Sequence, residues 1–171
     1  MKQVTFAILA TILSTICFSQ SKDSVYVIKD YDEMSNKTYI YPNRGVVVSN
    51  EEKSVGFKIS AFISEGLVLE MLTVKIVGIG SCHENDEIII LFEDGQKITK
   101  KSWNKFNCKG DSYFNISDKE VSLLATKKIT KIRISNGYSF ESYTGDIQEK
   151  DKSYFIKILS DLETKTIVNK K

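Results

Sequence analysis

Between Ser54 and Ser64 the chain alternates. Val55, Phe57, Ile59, Ala61 and Ile63 fall on every second position, with Ser54, Lys58 and Ser60 among the residues between them. Side chains of a strand point to opposite faces in turn, so this pattern predicts a strand with one buried face and one wet face. Such a strand needs neighbours to pair with. Glu87–Phe92 is strongly apolar, and Asp94-Gly95 separates it from Gln96–Lys100. Asp-Gly between two such runs predicts a hairpin. Ile129–Ser135, Asn136-Gly137 and Tyr138–Tyr143 repeat the arrangement with the Asn-Gly pair that tight hairpins favour. Alternation within the last segment puts Tyr138 and Phe140 on one face and Tyr143 on the other, with Phe140 assigned to the core.

Further strands are predicted at Val25–Ile28, Thr38–Tyr41, Val46–Val48 and Ser112–Ile116, with Pro42-Asn43-Arg44-Gly45 as a turn. Residues 29–37 are polar and loop-like. Leu67–Val77 is long enough for a helix, but the β-branched run Thr73–Val77 favours strand in its second half. Ser117-Asp118-Lys119-Glu120 has the spacing of a capping box, and Val121, Leu124 and Ala125 follow at helical intervals. A short helix near 118–126 follows. Asp146 and Glu149 suggest a second cap, and Ile147, Phe155, Ile158, Leu159 and Leu162 form the apolar stripe of a C-terminal amphipathic helix near 147–163. The residues after it should fray. These elements predict an α+β fold, a mostly antiparallel sheet partly covered by two helices. A β-sandwich with a terminal helix is the alternative.

Composition agrees with an ordinary globular protein. Of 171 residues, 42% are hydrophobic and 27% charged, with 9 Gly and 1 Pro. Collagen-like and highly charged disordered chains are excluded, and a mean hydropathy of −0.18 argues against a polytopic membrane protein. Met1–Gln20 is different. Lys2 precedes an apolar run from Val4 to Phe18, and the small residue Ser19 follows. This is the pattern of a secretory signal peptide over residues 1–19. The run is about 15 residues, short of the ~20 that span a bilayer. Cleavage after Ser19 leaves a single domain, 20–171, with no transmembrane span, in the periplasm or secreted. Lipidation at Cys17 is disfavoured by the bulky Ile16 before it. An exported chain retains Cys82 and Cys108, which in an oxidising compartment most simply pair with each other. A redox or metal-binding use lacks the C-x-x-C spacing.

From about Val74 to Leu162 the chain resembles a loose family of small exported proteins of unknown function from Gram-negative bacteria. Cys82, Ile88–Gly95, Asn107-Cys108, Tyr113, the Ser117–Glu120 cap, Ile129–Gly137 and Tyr154-Phe155-Ile156 carry the resemblance. It implies fold and export, and supplies no catalytic residue.

Two clusters hold chemistry-bearing side chains. Cys82-His83-Glu84-Asn85-Asp86-Glu87 contains the only histidine, and His83, Glu84, Asp86 and Glu87 are possible ligands or hydrolytic carboxylates. No metal-binding motif fits their spacing, and the plain reading is a solvated turn beside a disulfide. No cofactor is expected. Any Ser-His-Asp catalysis would have to use His83, and no G-x-S-x-G is present. The second cluster follows a charge reversal: residues 51–95 carry 9 acidic and 3 basic residues, residues 96–133 carry 10 basic and 3 acidic. Lys100, Lys101, Lys105 and Lys109 lie among Trp103 and Phe106, a mixture suited to an anionic polymer. A chain with 23 basic and 22 acidic residues after residue 19 argues against nucleic acid. The blocks can instead face each other across paired strands, with Trp103 packed in the core. The expectation is an exported, non-enzymatic binding domain that contacts an envelope protein or polysaccharide. An envelope hydrolase using carboxylates near Glu84–Glu87, and a metal or redox sensor, are the alternatives.

Overall fold

The computed structural model describes residues 24–170. The segment 1–19 expected to be a signal peptide, with Cys17, lies outside them. The protein is mostly antiparallel sheet with two short helices. Among the described residues eleven strands run in chain order: β1 (Val27–Asp32), β2 (Lys37–Pro42), β3 (Val46–Ser49), β4 (Gly56–Ile63), β5 (Leu69–Val77), β6 (Glu87–Phe92), β7 (Lys97–Lys101), β8 (Asp111–Asn115), β9 (Ile129–Ser135), β10 (Ser142–Asp146) and β11 (Ile167–Asn169). Helix α1 (Asp118–Thr126) lies between β8 and β9. A 3-10 turn (Glu149–Asp151) and helix α2 (Tyr154–Glu163) lie between β10 and β11. The larger sheet has the order β11-β1-β2-β4-β5-β8, with β3 also on β4. The smaller has the order β10-β9-β6-β7.

The alternating segment is the centre of the larger sheet. Phe57, Ile59, Ala61 and Ile63 are buried, and β4 pairs along its length with β5. One buried cluster draws on both sheets and both helices: Ile59, Leu72 and Phe114, then Ile88, Ile90 and Ile132, then Leu124 and Ile158. Burying each such side chain contributes about 1.5–3 kcal/mol relative to exposure. Tyr154 joins them. Its hydroxyl donates to the Arg44 carbonyl at 2.8 Å, and burial pushes the phenol well above its ordinary value.

Several expectations need correction. Residues 29–37 are not one loop: β1 runs to Asp32 and β2 starts at Lys37. Leu67–Val77 is strand from Leu69 onward, because both edges of β5 are paired. The C-terminal helix starts at Tyr154, not near 147. Asp146 is the last residue of β10 and meets Lys131 at 3.2 Å, so it cannot serve as a helix cap. Residues 167–170, expected to fray, are paired or bonded instead. β11 pairs with β1 in parallel, Val27 opposite Ile167, and Lys170 meets Asp30 at 2.8 Å. The Asn-Gly hairpin joins β9 and β10 through a longer loop, with Ser135 opposite Ser142.

The cap of α1 has the expected reciprocal form, with Ser117 and Glu120 bonded to each other's backbone. Burial opposes the charge on Glu120. Hydrogen bonds from the Ser117 amide and hydroxyl and from Lys100 outweigh it and hold the carboxyl below its ordinary value of 4.5. Asp94 and Asp30 are lowered too, first by hydrogen bonds from Lys127 and Lys170. A carboxyl lower in the fold than in the unfolded chain contributes stability above the unfolded value and loses it as pH falls through the folded one. The urea midpoint should therefore hold steady from neutral pH and decline once pH passes below 4.5. The decline should be shallower in Glu120→Gln. A midpoint level through the acid range would contradict this.

Candidate functional site: a buried polar cluster beneath an aromatic rim

The chain passes between the sheets along residues 78–86 and returns along 102–110. The first crossing carries Cys82 and the second Cys108, and a disulfide joins them. His83 and Asn107 form an isolated antiparallel bridge beside it, at 2.7 and 3.0 Å. The two crossings are therefore stapled covalently and by backbone pairing.

Beneath the staple lie four buried polar side chains: His83, Asp86, Ser112 and Asn136. Asp86 is the hub. Its Oδ2 accepts from the Ser112 hydroxyl and from His83 Nδ1 at 3.0 Å, and its Oδ1 accepts from the Gly137 amide at 3.0 Å. The carboxylate can only accept, so Nδ1 carries the imidazole proton. The Asn136 carboxamide is spent as completely. Its nitrogen donates to the carbonyls of Ile79 (2.9 Å) and Cys82 (2.8 Å), and its oxygen accepts from the amides of Tyr138 and Ser139. Buried polar groups are tolerated when they are bonded in this way, and such clusters rigidify what they join. Here they join the first crossing to β8 and to the loop 136–141. Glycine makes the contact possible: a Cβ on Gly137 would lie 2.2 Å from the Glu84 carbonyl, and one on Gly80 2.4 Å from Asn136 Nδ2.

The order of this cluster is wrong for nucleophilic catalysis. A serine nucleophile must reach the histidine, which the acid orients from behind. In this protein Ser112 bonds to Asp86, and the acid stands between serine and histidine. The metal-ligand candidates also part company. His83 and Asp86 turn inward, Glu84 is exposed, and Glu87 is half-buried in β6. Among the described residues, no group of three or more His, Cys, Asp or Glu converges.

The basic candidates separate too. Lys100 meets Glu120 at 3.0 Å. Lys101 lies opposite Glu87 across β6 and β7, and Asp94 pairs with Lys127. The acidic and basic blocks thus meet in part across paired strands. Lys97, Lys100 and Lys101 occupy β7, an edge strand, where lysine discourages pairing with another chain. The edge of β8 is occupied: the Trp103 amide donates to the Tyr113 carbonyl, and Asn104 accepts from the Tyr113 amide. Lys105 and Lys109 are exposed on the second crossing.

Among the nearby aromatic residues, the core assignment of Phe140 and the core alternative for Trp103 both fail. Trp103 is not core but 56% exposed, with its ring 5.7 Å from Tyr113. Phe106 and Tyr138, each at least half exposed, meet edge to face at 5.4 Å and so connect the second crossing to the loop 136–141. Phe140 is 88% exposed and sits at φ 61°. No packing holds that ring, and a bulky residue with positive φ is uncommon. No protein-family model, curated protein or solved structure matches the chain.

Proposed function

We propose that the protein is an exported, non-enzymatic binding domain of the cell envelope, and that the aromatic rim formed by Phe106, Tyr138 and Phe140 is its contact face. One observation carries this reading. Exposed aromatic side chains stand on loops immobilised by a disulfide and a fully bonded polar cluster. Aromatic residues supply large contact area and are enriched in interfaces, and a rigid platform reduces the entropy lost on binding. The disulfide suits an oxidising compartment, periplasmic or extracellular. Within this reading the two sheets are the layers of a sandwich, and the likeness to small exported proteins is one of scaffold. The partner is an envelope protein or a polysaccharide, since rings of this kind stack on either.

The test is an in-cell crosslinking pull-down of the tagged, exported protein, with a Phe106→Ser/Phe140→Ser variant beside it. Both side chains are at least half exposed, so the variant should fold within about 0.5 kcal/mol of the parent. A dominant partner captured by the parent and lost by the variant is expected. Capture that ignores the substitutions would move the contact face elsewhere, and no enriched partner would count against a binding domain.

A further inference from the structure

Away from the aromatic rim, the β3–β4 hairpin, the edge strand β10 and the segment after it line a cleft of about 490 Å³. That is within the usual range for small-molecule sites, roughly 300–1,000 Å³. Its lining is of two kinds. Val47, 54% exposed, and Tyr143 give it apolar surface. Arg44, Lys53, Lys58 and Lys150 bring four cations to it, against the two acids Asp146 and Asp151.

Both acids are already engaged. Asp151 is buried and takes Arg44 at 2.6 Å, and Asp146 takes Lys131 at 3.2 Å. Lys53 and Lys58 enter no ion pair among the described residues. Lys58 also stands directly opposite Lys75 across β4 and β5, and Asp111 reaches Lys75 only at 4.0 Å. Like charges opposite one another destabilise a sheet, and an anion in the cleft would relieve this pair. Lys53 sits at φ 56° in the hairpin loop, which Asn50 ties together by bonds to Val55 and Ser54. Close packing sets the back wall. A Cβ on Gly145 would fall 2.1 Å from Val48, so β10 lies directly against β3.

We propose that this cleft binds a small organic anion, a carboxylate or phosphate group on an apolar body, with Lys53 and Lys58 facing the charge and Val47 and Tyr143 the body. The site is separate from the aromatic rim and does not depend on it.

The test is amide chemical-shift titration of the folded protein with phenyl phosphate, benzoate, inorganic phosphate and benzyl alcohol. Phenyl phosphate or benzoate should saturate shifts at Val47, Val48, Tyr143 and Gly145, and whichever binds identifies the head group. Inorganic phosphate and benzyl alcohol should each bind more weakly, since each lacks half of the recognised chemistry. Lys53→Glu/Lys58→Glu should weaken the better anion by about tenfold or more, from the loss and reversal of two ion pairs. Both lysines are exposed, so the fold should survive. The proposal is overturned by any of three results: no shifts in the cleft at tens of millimolar, affinity unchanged in the lysine variant, or benzyl alcohol binding as well as the anions. Phe106→Ser/Phe140→Ser should leave the titration unaltered, which keeps a failure here distinct from a failure of the proposed contact face.

Discussion

Asp86→Ala should cost the folded state roughly 3–5 kcal/mol, the scale of removing one partner from a buried charged network. The substitution leaves three donors facing a void: His83 Nδ1, the Ser112 hydroxyl and the Gly137 amide. Each unsatisfied buried group carries a penalty of about 1–3 kcal/mol, softened where water enters. Domains are stable by only about 5–15 kcal/mol, so the effect should be plain in urea denaturation followed by circular dichroism. Ser112→Ala is the graded control. It removes one donor and leaves the carboxylate with two, so it should cost only about 1 kcal/mol. A loss below about 1 kcal/mol in Asp86→Ala would mean that the carboxylate is not the hub of the cluster.

Cys82→Ser/Cys108→Ser should lower stability by about 3.5 kcal/mol on the chain-entropy model, for cysteines 26 positions apart. The local consequence is more telling. Without the bond, the two crossings are still held by the His83–Asn107 bridge and by the Ser102 amide, which donates to the Asp86 carbonyl at 2.7 Å. Amide exchange at His83 and Asn107 should accelerate well before that of the central strands, such as Ile59 and Ile90. Uniform acceleration at all these sites would show that the bond acts only on the unfolded chain. The cysteine pair and Asp86 brace the same loops, so combining the variants should cost less than the sum of the separate losses.

Much of the sheet was legible because its signals are local. The period of two in β4 survives because one face of that strand is buried. The Asp94-Gly95 turn holds because Gly95, at φ 83°, supplies a conformation that most residues avoid. The capping box of α1 is likewise written within four residues. What failed depended on distant partners. Asn136-Gly137 looked like a tight turn, but the Asn136 carboxamide is committed to Ile79 and Cys82, more than fifty positions away. The loop therefore widens, β10 starts later, and Phe140 moves out of the core. The candidate site was legible as composition but not as arrangement. Cys82, His83 and Asp86 were singled out together, yet nothing near them announces Ser112, which lies 26 positions beyond Asp86, the same interval that separates the cysteines. Asn136 gave no signal beyond its turn propensity. Trp103 was open to two readings, a contact residue among lysines or core beside the disulfide, and its place on a crossing segment leaves it exposed.

The parallel pairing of β11 with β1 also bears on synthesis. β1 emerges among the first strands and can pair at once with β2, but its other edge has no partner until residues 167–169 are available. Throughout that interval the nascent larger sheet presents an unpaired edge, the kind of template on which chains join one another. Three residues near the end of the chain are what finally cover it, so the order in which the chain is made leaves its larger sheet open to other copies until those residues arrive.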